Sequence, residues 1–236
     1  MKERLIVRNL KKAYGERLIL QQVNLQLMPG KTAVILGKSG SGKSTFLNCI
    51  ATLLPYDQGE ILRQEGIQLG YMFQKPELFS WLTVEENITF PIRTHRQRTT
   101  QIMVLLELTQ LTPFAHLYPK ELSMGMQQRV SLARALIQSH DLLLLDEPFS
   151  SLDWFIKQAL YQNLLDIQKT FGTAIILVTH DLEEAICLGD EVYILNDQTH
   201  TIHHAMSVSI EKDARLDFME DARVIEMRRK LRKAFV

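Results

Sequence analysis

The feature that most constrains this chain is a glycine-rich stretch at residues 37–45, which reads GKSGSGKST. It satisfies G-x-x-x-x-G-K-[ST], the pattern of a phosphate-binding loop. The apolar run at residues 32–36 is typical of a buried strand, and residues 46–51 have helical spacing. A strand, a loop and a helix in this order favour phosphate binding over a flexible turn. The sequence therefore predicts a nucleotide-binding protein.

Each part of this loop has an expected function in binding phosphate. Its glycines let the backbone curl so that successive N–H groups point at phosphate oxygens, and the following helix adds its N-terminal dipole. Lys43 is expected to reach the β- and γ-phosphates, and the Ser44 hydroxyl is expected to ligate Mg²⁺. The predicted nucleotide contacts in the loop are Gly37, Lys38, Ser39, Gly40, Ser41, Gly42, Lys43, Ser44 and Thr45.

Composition limits the classes of protein and of partner. The chain has 236 residues, of which 46% are hydrophobic, so one α/β domain with a sizeable core is expected. Lys and Arg number 27, as do Asp and Glu, which argues against nucleic acid as a partner. Cys49 and Cys187 are not spaced for a metal or redox site. No apolar run approaches 18 residues, so a membrane function is expected to come through a partner.

A second apolar run ends in two carboxylates. Residues 142–145 are all leucine, which is typical of a central parallel strand buried on both faces, and Asp146 and Glu147 follow at its end. Asp146 is then placed to hold Mg²⁺, and Glu147 to orient or deprotonate the attacking water. The alternative is a solvated acidic turn, which the phosphate-binding loop upstream disfavours.

Three further side chains leave two interpretations open when taken alone. Gln74 follows a predicted strand and either meets Mg²⁺ or the attacking water, or is simply solvated. His180 follows another strand and either contacts the γ-phosphate or is a hydrogen-bonded structural histidine. Tyr14, in a predicted polar turn, either stacks on adenine or is an ordinary half-exposed tyrosine.

The remaining patterns predict the layout of the chain. Alternating apolar residues near the N-terminus indicate an antiparallel sheet, with polar turns at residues 11–16 and 57–60. Proline-punctuated segments between residues 76 and 140 predict an inserted helical subdomain. A helix is expected to run to Phe171 and end at Gly172. The tail from Asp213 is also expected to be helical, and to pack on its own domain rather than on a membrane surface.

Taken together, the motifs resemble the ATP-binding cassette of ABC transporters over nearly the whole chain. The most specific of them is the signature at residues 122–130, LSMGMQQRV, because ordinary phosphate-loop NTPases lack it. The matching family motifs are Walker A at 37–45, the Q-loop Gln74, Walker B at 142–146, the catalytic glutamate Glu147, the D-loop at 150–153 and the H-loop His180.

The resemblance implies functions for several residues. Glu147, His180 and Gln74 would be catalytic, and Ser44, Gln74 and Asp146 would bind Mg²⁺. Tyr14 would stack on adenine, and Asp153 of the D-loop would join the nucleotide site. Ser123 and Gly125 of the signature would reach across a head-to-tail dimer to the γ-phosphate held by the partner's Walker A. Met124 departs from the family, which carries glycine there, and we expect it to be helical with its thioether pointing away from the nucleotide rather than crowding the γ-phosphate.

The implied fold class is α/β. It comprises a RecA-like P-loop NTPase core with a mostly parallel sheet, an N-terminal antiparallel β subdomain and an inserted α-helical subdomain. Within a single ATP-binding domain at 1–236, the core would comprise 1–75 and 141–205. Residues 76–140 would form the helical subdomain, with the signature helix at 127–138, and 206–236 a C-terminal helical tail.

The implied function is ATP hydrolysis that energises an importer. Residues 79–87, FSWLTVEEN, resemble the branch that imports nitrate, sulfonate, taurine or thiamine precursors. The implied cofactors are ATP and Mg²⁺. The implied partners are a second ATP-binding subunit, with a homodimer favoured, membrane permease subunits and, indirectly, an extracytoplasmic substrate-binding protein. The protein would be cytoplasmic and would attach to the cell membrane through the permease. The alternatives are an exporter ATPase and a soluble ABC ATPase outside transport.

Overall fold

Two sheets form the frame of the molecule, and helices pack against the larger one. The computed structural model describes residues 3–92, 98–150, 152–210 and 222–235. The strands are β1 (Leu5–Tyr14), β2 (Arg17–Leu27), β3 (Thr32–Leu36), β4 (Gln58–Arg63), β5 (Leu69–Met72), β6 (Leu142–Asp146), β7 (Ala174–Thr179), β8 (Glu191–Leu195) and β9 (Ile202–Ser207). The helices are α1 (Lys43–Ile50), α2 (Val84–Thr89), α3 (Arg98–Leu108), α4 (Met124–Leu136), α5 (Trp154–Phe171), α6 (Leu182–Leu188) and α7 (Ala222–Phe235).

The larger sheet has the order β5-β6-β7-β3-β8-β9, in which only β9 runs antiparallel to its neighbour among the described strands. Every residue of β3, β6 and β7 is buried, as expected for apolar parallel strands covered on both faces. The smaller sheet is antiparallel, with the order β2-β1-β4. The predicted α/β class, a mostly parallel core with an antiparallel β subdomain and helices, is confirmed.

Two of the predicted turns were wrong, because the smaller sheet extends through them. β1 continues to Tyr14, which pairs with Arg17, so the turn is shorter than residues 11–16. β4 begins at Gln58, inside the turn predicted at 57–60. Gly59 has φ +99°, and a Cβ there would lie 2.6 Å from the backbone oxygen of Arg8. A residue type common in turns is used here for the close approach of two strands.

Helices occupy the described chain between β5 and β6. α2 begins with a capping box, in which Thr83 and Glu86 exchange side-chain and backbone hydrogen bonds. The signature helix was predicted to start at residue 127, and this was wrong. α4 begins at Met124 because the Ser123 hydroxyl accepts a hydrogen bond from the Met126 N–H at 3.3 Å. The expectation that Met124 is helical is confirmed, and its side chain is largely exposed. The division of the chain at residues 76–140 stays a prediction.

The C-terminal part differs from a purely helical tail. β9 runs to Ser207, past the expected start of the tail at 206, and Asp213 lies outside the described residues. α5 ends as predicted, with Gly172 in the left-handed conformation. α7 buries Val224 and Leu231 and packs against α6, as expected for a helix that packs on its own domain. None of the described helices has the length and apolar character needed to cross a membrane.

Candidate active site

The edge of the sheet where the parallel strands end brings together three chemically distinct segments. Leu36 at the end of β3 pairs with Thr179 of β7, and Asp146 of β6 pairs with Val178. The phosphate-binding loop follows β3, the two carboxylates end β6, and His180 follows β7 directly. Register alone therefore places these groups side by side, at the position where open α/β sheets bind ligands.

The backbone of the loop at residues 37–45 is curled by glycines. Gly40 and Gly42 have φ values of +79° and +106°, and a Cβ on Gly42 would lie 2.8 Å from the Ile19 side chain. Gly42 is also the N-cap of α1, so the free N–H groups at the start of that helix face the loop. This arrangement is suited to binding a polyphosphate, because backbone donors and the helix dipole act on the same anion.

Lys43 lies inside the curled loop. Its side chain is 4% exposed, and its ammonium donates hydrogen bonds to the carbonyl oxygens of Gly37 at 2.9 Å and Lys38 at 3.0 Å. The same nitrogen lies 3.4 Å from Oε1 of Glu147. A single cation therefore braces the loop and neutralises the neighbouring carboxylate.

Asp146 presents a buried oxygen that has no partner. It is almost fully buried and bonds to the side chain of Ser44, while its Oδ1 makes no hydrogen bond among the described residues. Burial raises the pKa of Asp146, and the bond from Ser44 and the charge of Lys43 oppose that increase. Ser41 Oγ is also buried and makes no hydrogen bond within the described part of the chain. Unpaired oxygens of this kind suit an ion or ligand that supplies the missing interaction.

A cation here could not depend on side chains alone. The described part of the chain contains no group of three or more His, Cys, Asp and Glu residues arranged to hold a metal ion. Ser44, Asp146 and Gln74 would supply at most three oxygens, so the remaining ligands would have to be phosphate oxygens and water. Mg²⁺ is usually bound in this way, with one or two protein ligands beside substrate phosphates.

Glu147 connects Lys43 to His180. Its Oε1 faces the lysine, and its Oε2 lies 3.5 Å from Nδ1 of His180. Its backbone has φ +48°, a left-handed conformation that is uncommon for a side chain of this size. Three bonds hold its backbone there: its N–H donates to Val178 O at 3.0 Å, and its carbonyl accepts from Gln128 Nε2 at 3.1 Å and from the Ser150 N–H at 3.4 Å. A non-glycine residue held in this way is typical of a functional position.

The structure places the other predicted residues less tightly. His180 is 58% exposed and contacts the site through Glu147. Gln74 is exposed and lies two residues after Met72, which pairs with Leu145, so it is at the same sheet edge. Tyr14 ends β1, with half of its surface exposed and the Lys12 ammonium 5.3 Å from its ring centre.

The signature and D-loop residues stand apart from the phosphate-binding loop. Ser123 caps α4, Gly125 lies in its first turn, and Asp153 caps α5 by accepting from the Ile156 N–H at 3.2 Å. Among the described residues, no hydrogen bond or ion pair joins these three to residues 37–45. Ser151 of the D-loop lies outside the described residues.

Sequence reasoning missed the polar groups that contact the site residues from neighbouring elements and do not face the loop. Gln128 belongs to the signature, yet its contact with Glu147 depends on a fold that brings distant segments together. Lys157 of α5 and Glu184 of α6 form a largely buried ion pair, with their charged atoms 3.0 Å apart. A charged residue in a helix is usually solvated. The one sequence feature that could have indicated burial of Glu184 is the run of apolar residues beside it on α6.

Comparison with known proteins agrees with this geometry. Residues 20–150 match the ABC transporter family. The chain is 41% identical over 199 residues to the aliphatic sulfonates import ATP-binding protein SsuB of Bacillus subtilis (strain 168), covering 81% of this chain and 78% of that protein. It is 39% identical over 201 residues to SsuB 2 of Pseudomonas syringae pv. tomato (strain ATCC BAA-871 / DC3000), covering 85% of this chain and 86% of the relative.

Solved structures give the same result. The ATP-binding subunit of an ABC transporter superposes with a TM-score of 0.80 at 25% identity, over 97% of this chain and 99% of that one. A dimeric bacterial ABC transporter cassette gives a TM-score of 0.77 at 29% identity, covering 88% of this chain and all of the other. A post-hydrolysis dimeric cassette bound to ADP and Pi gives 0.76 at 29% identity, with the same coverage. The chain therefore belongs to the ABC transporter family, as the motifs predicted.

Proposed function

We propose that this chain is the ATP-hydrolysing subunit of an ABC importer for aliphatic sulfonates or a related small organic anion. The observation that carries the proposal is the line of contacts from Lys43 through Glu147 to His180, beside the unpaired oxygen of Asp146. The kind of cargo rests on the relatives named as sulfonate import subunits, which are about 40% identical.

ATP binding would use the loop and the end of β1. The γ- and β-phosphates accept from backbone N–H groups of residues 37–45, and the adenine stacks on Tyr14, which is exposed enough to receive it. Lys43 now bonds to two carbonyl oxygens and faces Glu147. The triphosphate offers this ammonium a stronger acceptor, so binding would turn it toward the phosphates and free the carboxylate.

Ser44 and Asp146 would hold Mg²⁺, and Gln74, which follows β5 at the same edge of the sheet, would join them. When bound, the ion neutralises charge on the β- and γ-phosphates. The fit rests on the oxygen of Asp146 that lacks a partner and on the hydroxyl beside it.

Hydrolysis would follow from the placement of Glu147. The carboxylate accepts a proton from the attacking water as the water oxygen bonds to the γ-phosphorus and the bond to the leaving oxygen of ADP breaks. His180 contacts the second oxygen of Glu147 and so orients it, and Gln128 holds the backbone of the same residue. The products are ADP and Pi, the ligands of one of the similar dimeric cassettes.

The site would be completed by a second copy of the chain. Ser123 and Gly125 contact no residue of the loop in their own chain by hydrogen bond or ion pair, and similar cassettes are dimers. In a head-to-tail dimer they would reach the γ-phosphate bound by the partner. Met124 is 66% exposed in the first turn of α4, which is consistent with a side chain directed away from the nucleotide.

Exposed aromatic residues mark the surface where the permease would dock. The Phe79 ring lies 5.3 Å from the Trp81 ring and 4.4 Å from the Phe90 ring, and Arg134 lies over its face. Trp81 is 70% exposed, which is unusual unless a partner covers it. This aromatic group lies in the segment after Gln74. A movement of the permease would therefore shift this segment and, with it, the position of Gln74 beside the nucleotide. Such docking would hold the chain at the membrane.

The proposal is tested with the chain assembled with the permease subunits of an aliphatic sulfonate importer. The wild type is expected to hydrolyse Mg-ATP and to drive uptake of a radiolabelled aliphatic sulfonate, and the Glu147→Gln variant is expected to do neither at a comparable rate. Hydrolysis without uptake of any sulfonate would overturn the proposed cargo. Absence of hydrolysis by the wild-type assembly would overturn the enzymatic function.

A further inference from the structure

Next to His180 in the sequence lies a partly buried ionic network that the mechanism above does not use. The ammonium of Lys157 is 3.0 Å from Oε1 of Glu184 and 3.2 Å from Oδ2 of Asp181. The other carboxylate oxygen of Glu184 accepts a hydrogen bond of 2.6 Å from the hydroxyl of Thr179. These four residues, Lys157, Thr179, Asp181 and Glu184, are called the Lys157 network below.

Burial makes the network costly to break. The Glu184 side chain is 2% exposed, and that of Lys157 is 15% exposed. Burial raises the pKa of Glu184, while its hydrogen bond from Thr179 and the charge of Lys157 favour the ionised form. A charge in such a place is stable only while its partner stays within contact distance. The ion pair therefore fixes α5, which carries Lys157, against α6, which carries Glu184.

The network holds the backbone on both sides of His180. The Thr179 hydroxyl, besides donating to Glu184, accepts from the Asp181 N–H at 3.0 Å. Asp181 caps α6, since its Oδ1 accepts from the Glu183 N–H at 2.8 Å. The imidazole between them is mostly exposed and contacts Glu147. Its position is thus set mainly by its two neighbours in sequence rather than by packing of the ring itself.

We propose that Lys157 and Glu184 are positioning residues that set the separation between the His180 imidazole and the Glu147 carboxylate. They act through Thr179 and Asp181, and neither touches the phosphate-binding loop by any described contact. The proposal rests on the proposed function, because the separation matters only if Glu147 acts on the attacking water.

The first test separates rate from binding. Lys157→Met is expected to lower kcat for ATP by about tenfold or more and to leave KM within about twofold, because the lysine is remote from the nucleotide. Lys157→Arg keeps the cation and is expected to restore kcat to within about threefold. The matched control is Glu183→Gln, which removes a carboxylate from the same helix that pairs with Arg228 at the surface, and kcat should not change.

The second test distinguishes loss of activity through unfolding from loss of activity through misplacement of His180. Lys157→Met leaves Glu184 buried without its cation, so the variant could lose activity by unfolding. The double variant Lys157→Met/Glu184→Gln has neither charge and is expected to recover thermal stability. If the network positions His180, kcat stays low in the double variant. Recovery of kcat together with stability would overturn the proposal.

The third test asks whether the effect passes through His180. In a His180→Ala background, Lys157→Met is expected to change kcat by less than about twofold, because the group it positions is gone. A further loss as large as in the wild-type background would contradict the proposal.

An NMR measurement tests the position of the His180 imidazole directly and does not require ATP hydrolysis. The imidazole resonance of His180, assigned by its loss in His180→Ala, is expected to shift in Lys157→Met and to stay in place in Glu183→Gln. An unchanged resonance in Lys157→Met would overturn the positioning proposal. If the wild type hydrolyses no ATP, the proposed function fails, and this measurement still decides whether Lys157 positions His180.

Discussion

The phosphate-binding loop at residues 37–45 and the signature at 122–130 differ in how many contacts their side chains make within one chain. In the loop, Lys43 is buried and bonded to two backbone oxygens, and Glu147 contacts both Lys43 and His180. In the signature, the Ser123 hydroxyl caps α4 and makes no other hydrogen bond to the described residues, and the neighbouring Met124 is largely exposed.

The difference indicates where the chain is preorganised and where it is not. Side chains around the loop are held by contacts within one chain before ATP binds, and the Lys43 ammonium is the group that would then turn toward the phosphates. The exposed start of α4 presents backbone N–H groups of the first helical turn, and a second copy of the chain would cover this surface. A site shared between two copies requires this combination. One half, the phosphate-binding loop with Glu147 and His180, is completed within one chain and is called the finished half below. The other half, the signature at residues 122–130, is exposed until a second copy covers it and is called the exposed half. Four substitutions can break or sharpen the comparison.

The largest effect is expected in the finished half. Lys43→Ala should reduce ATP hydrolysis by about 10³-fold or more, the range for a charge that stabilises the transferred phosphoryl group, and should greatly weaken Mg-ATP binding. The substitution also removes the cation beside Glu147. Binding of a fluorescent ATP analogue and phosphate release are the measurements. Turnover like that of the wild type would remove the loop from the mechanism.

A nearly complete loss is also expected in the exposed half, for another reason. Gly125→Asp should leave ATP binding to the isolated chain within about twofold but reduce hydrolysis close to the background. The introduced carboxylate would face the γ-phosphate bound by the other copy. The same two assays distinguish this from Lys43→Ala, since only the lysine variant should lose binding. A Gly125→Asp variant that hydrolyses ATP normally would show that the signature does not meet the nucleotide.

Glu147→Gln tests the proposal that Glu147 is the proton acceptor, while keeping the shape of the side chain. Hydrolysis should fall by about 10²-fold or more, as expected for a positioned base, and ATP should still bind. The backbone bonds to Val178 and Gln128 do not involve the side chain, so the left-handed conformation should persist. Single-turnover hydrolysis is the measurement. A loss of less than fivefold would assign the base to another group.

The smallest effect is expected for Met124→Gly. Met124 already adopts helical backbone angles in the first turn of α4 and points into solvent, so glycine should change the rate by less than about tenfold. Steady-state hydrolysis by the assembled transporter is the measurement. A large activation would mean that the methionine crowds the γ-phosphate, and would favour a degenerate site in a heterodimer.

Much of this comparison could be predicted from the sequence, because the finished half is built on local patterns. Apolar runs identify β3, β6 and β7, and in a parallel sheet the residues after such strands share one edge. The sequence therefore predicted that Asp146, Glu147 and His180 would lie near the loop. It also predicted the end of α5 at Gly172, whose left-handed conformation only glycine adopts easily.

The remaining features depend on contacts between distant segments. Gly59 has the composition of a turn but lies within β4, since its lack of a side chain lets two strands approach. The left-handed conformation of Glu147 is held in part by hydrogen bonds to Gln128 and Val178, neither of which is close in sequence. The pairing of Lys157 with Glu184 joins two helices across 27 positions. Local patterns carry no information about such pairs.

The most direct test of the shared site is sedimentation of Glu147→Gln at saturating ATP, with and without Gly125→Asp in the same chain. The account predicts that Glu147→Gln is a monomer without nucleotide and a dimer with ATP, because stalled hydrolysis leaves ATP between two copies. The double variant should bind ATP and remain a monomer. A Glu147→Gln chain that stays monomeric at every ATP concentration, or a double variant that dimerises equally well, would contradict the account.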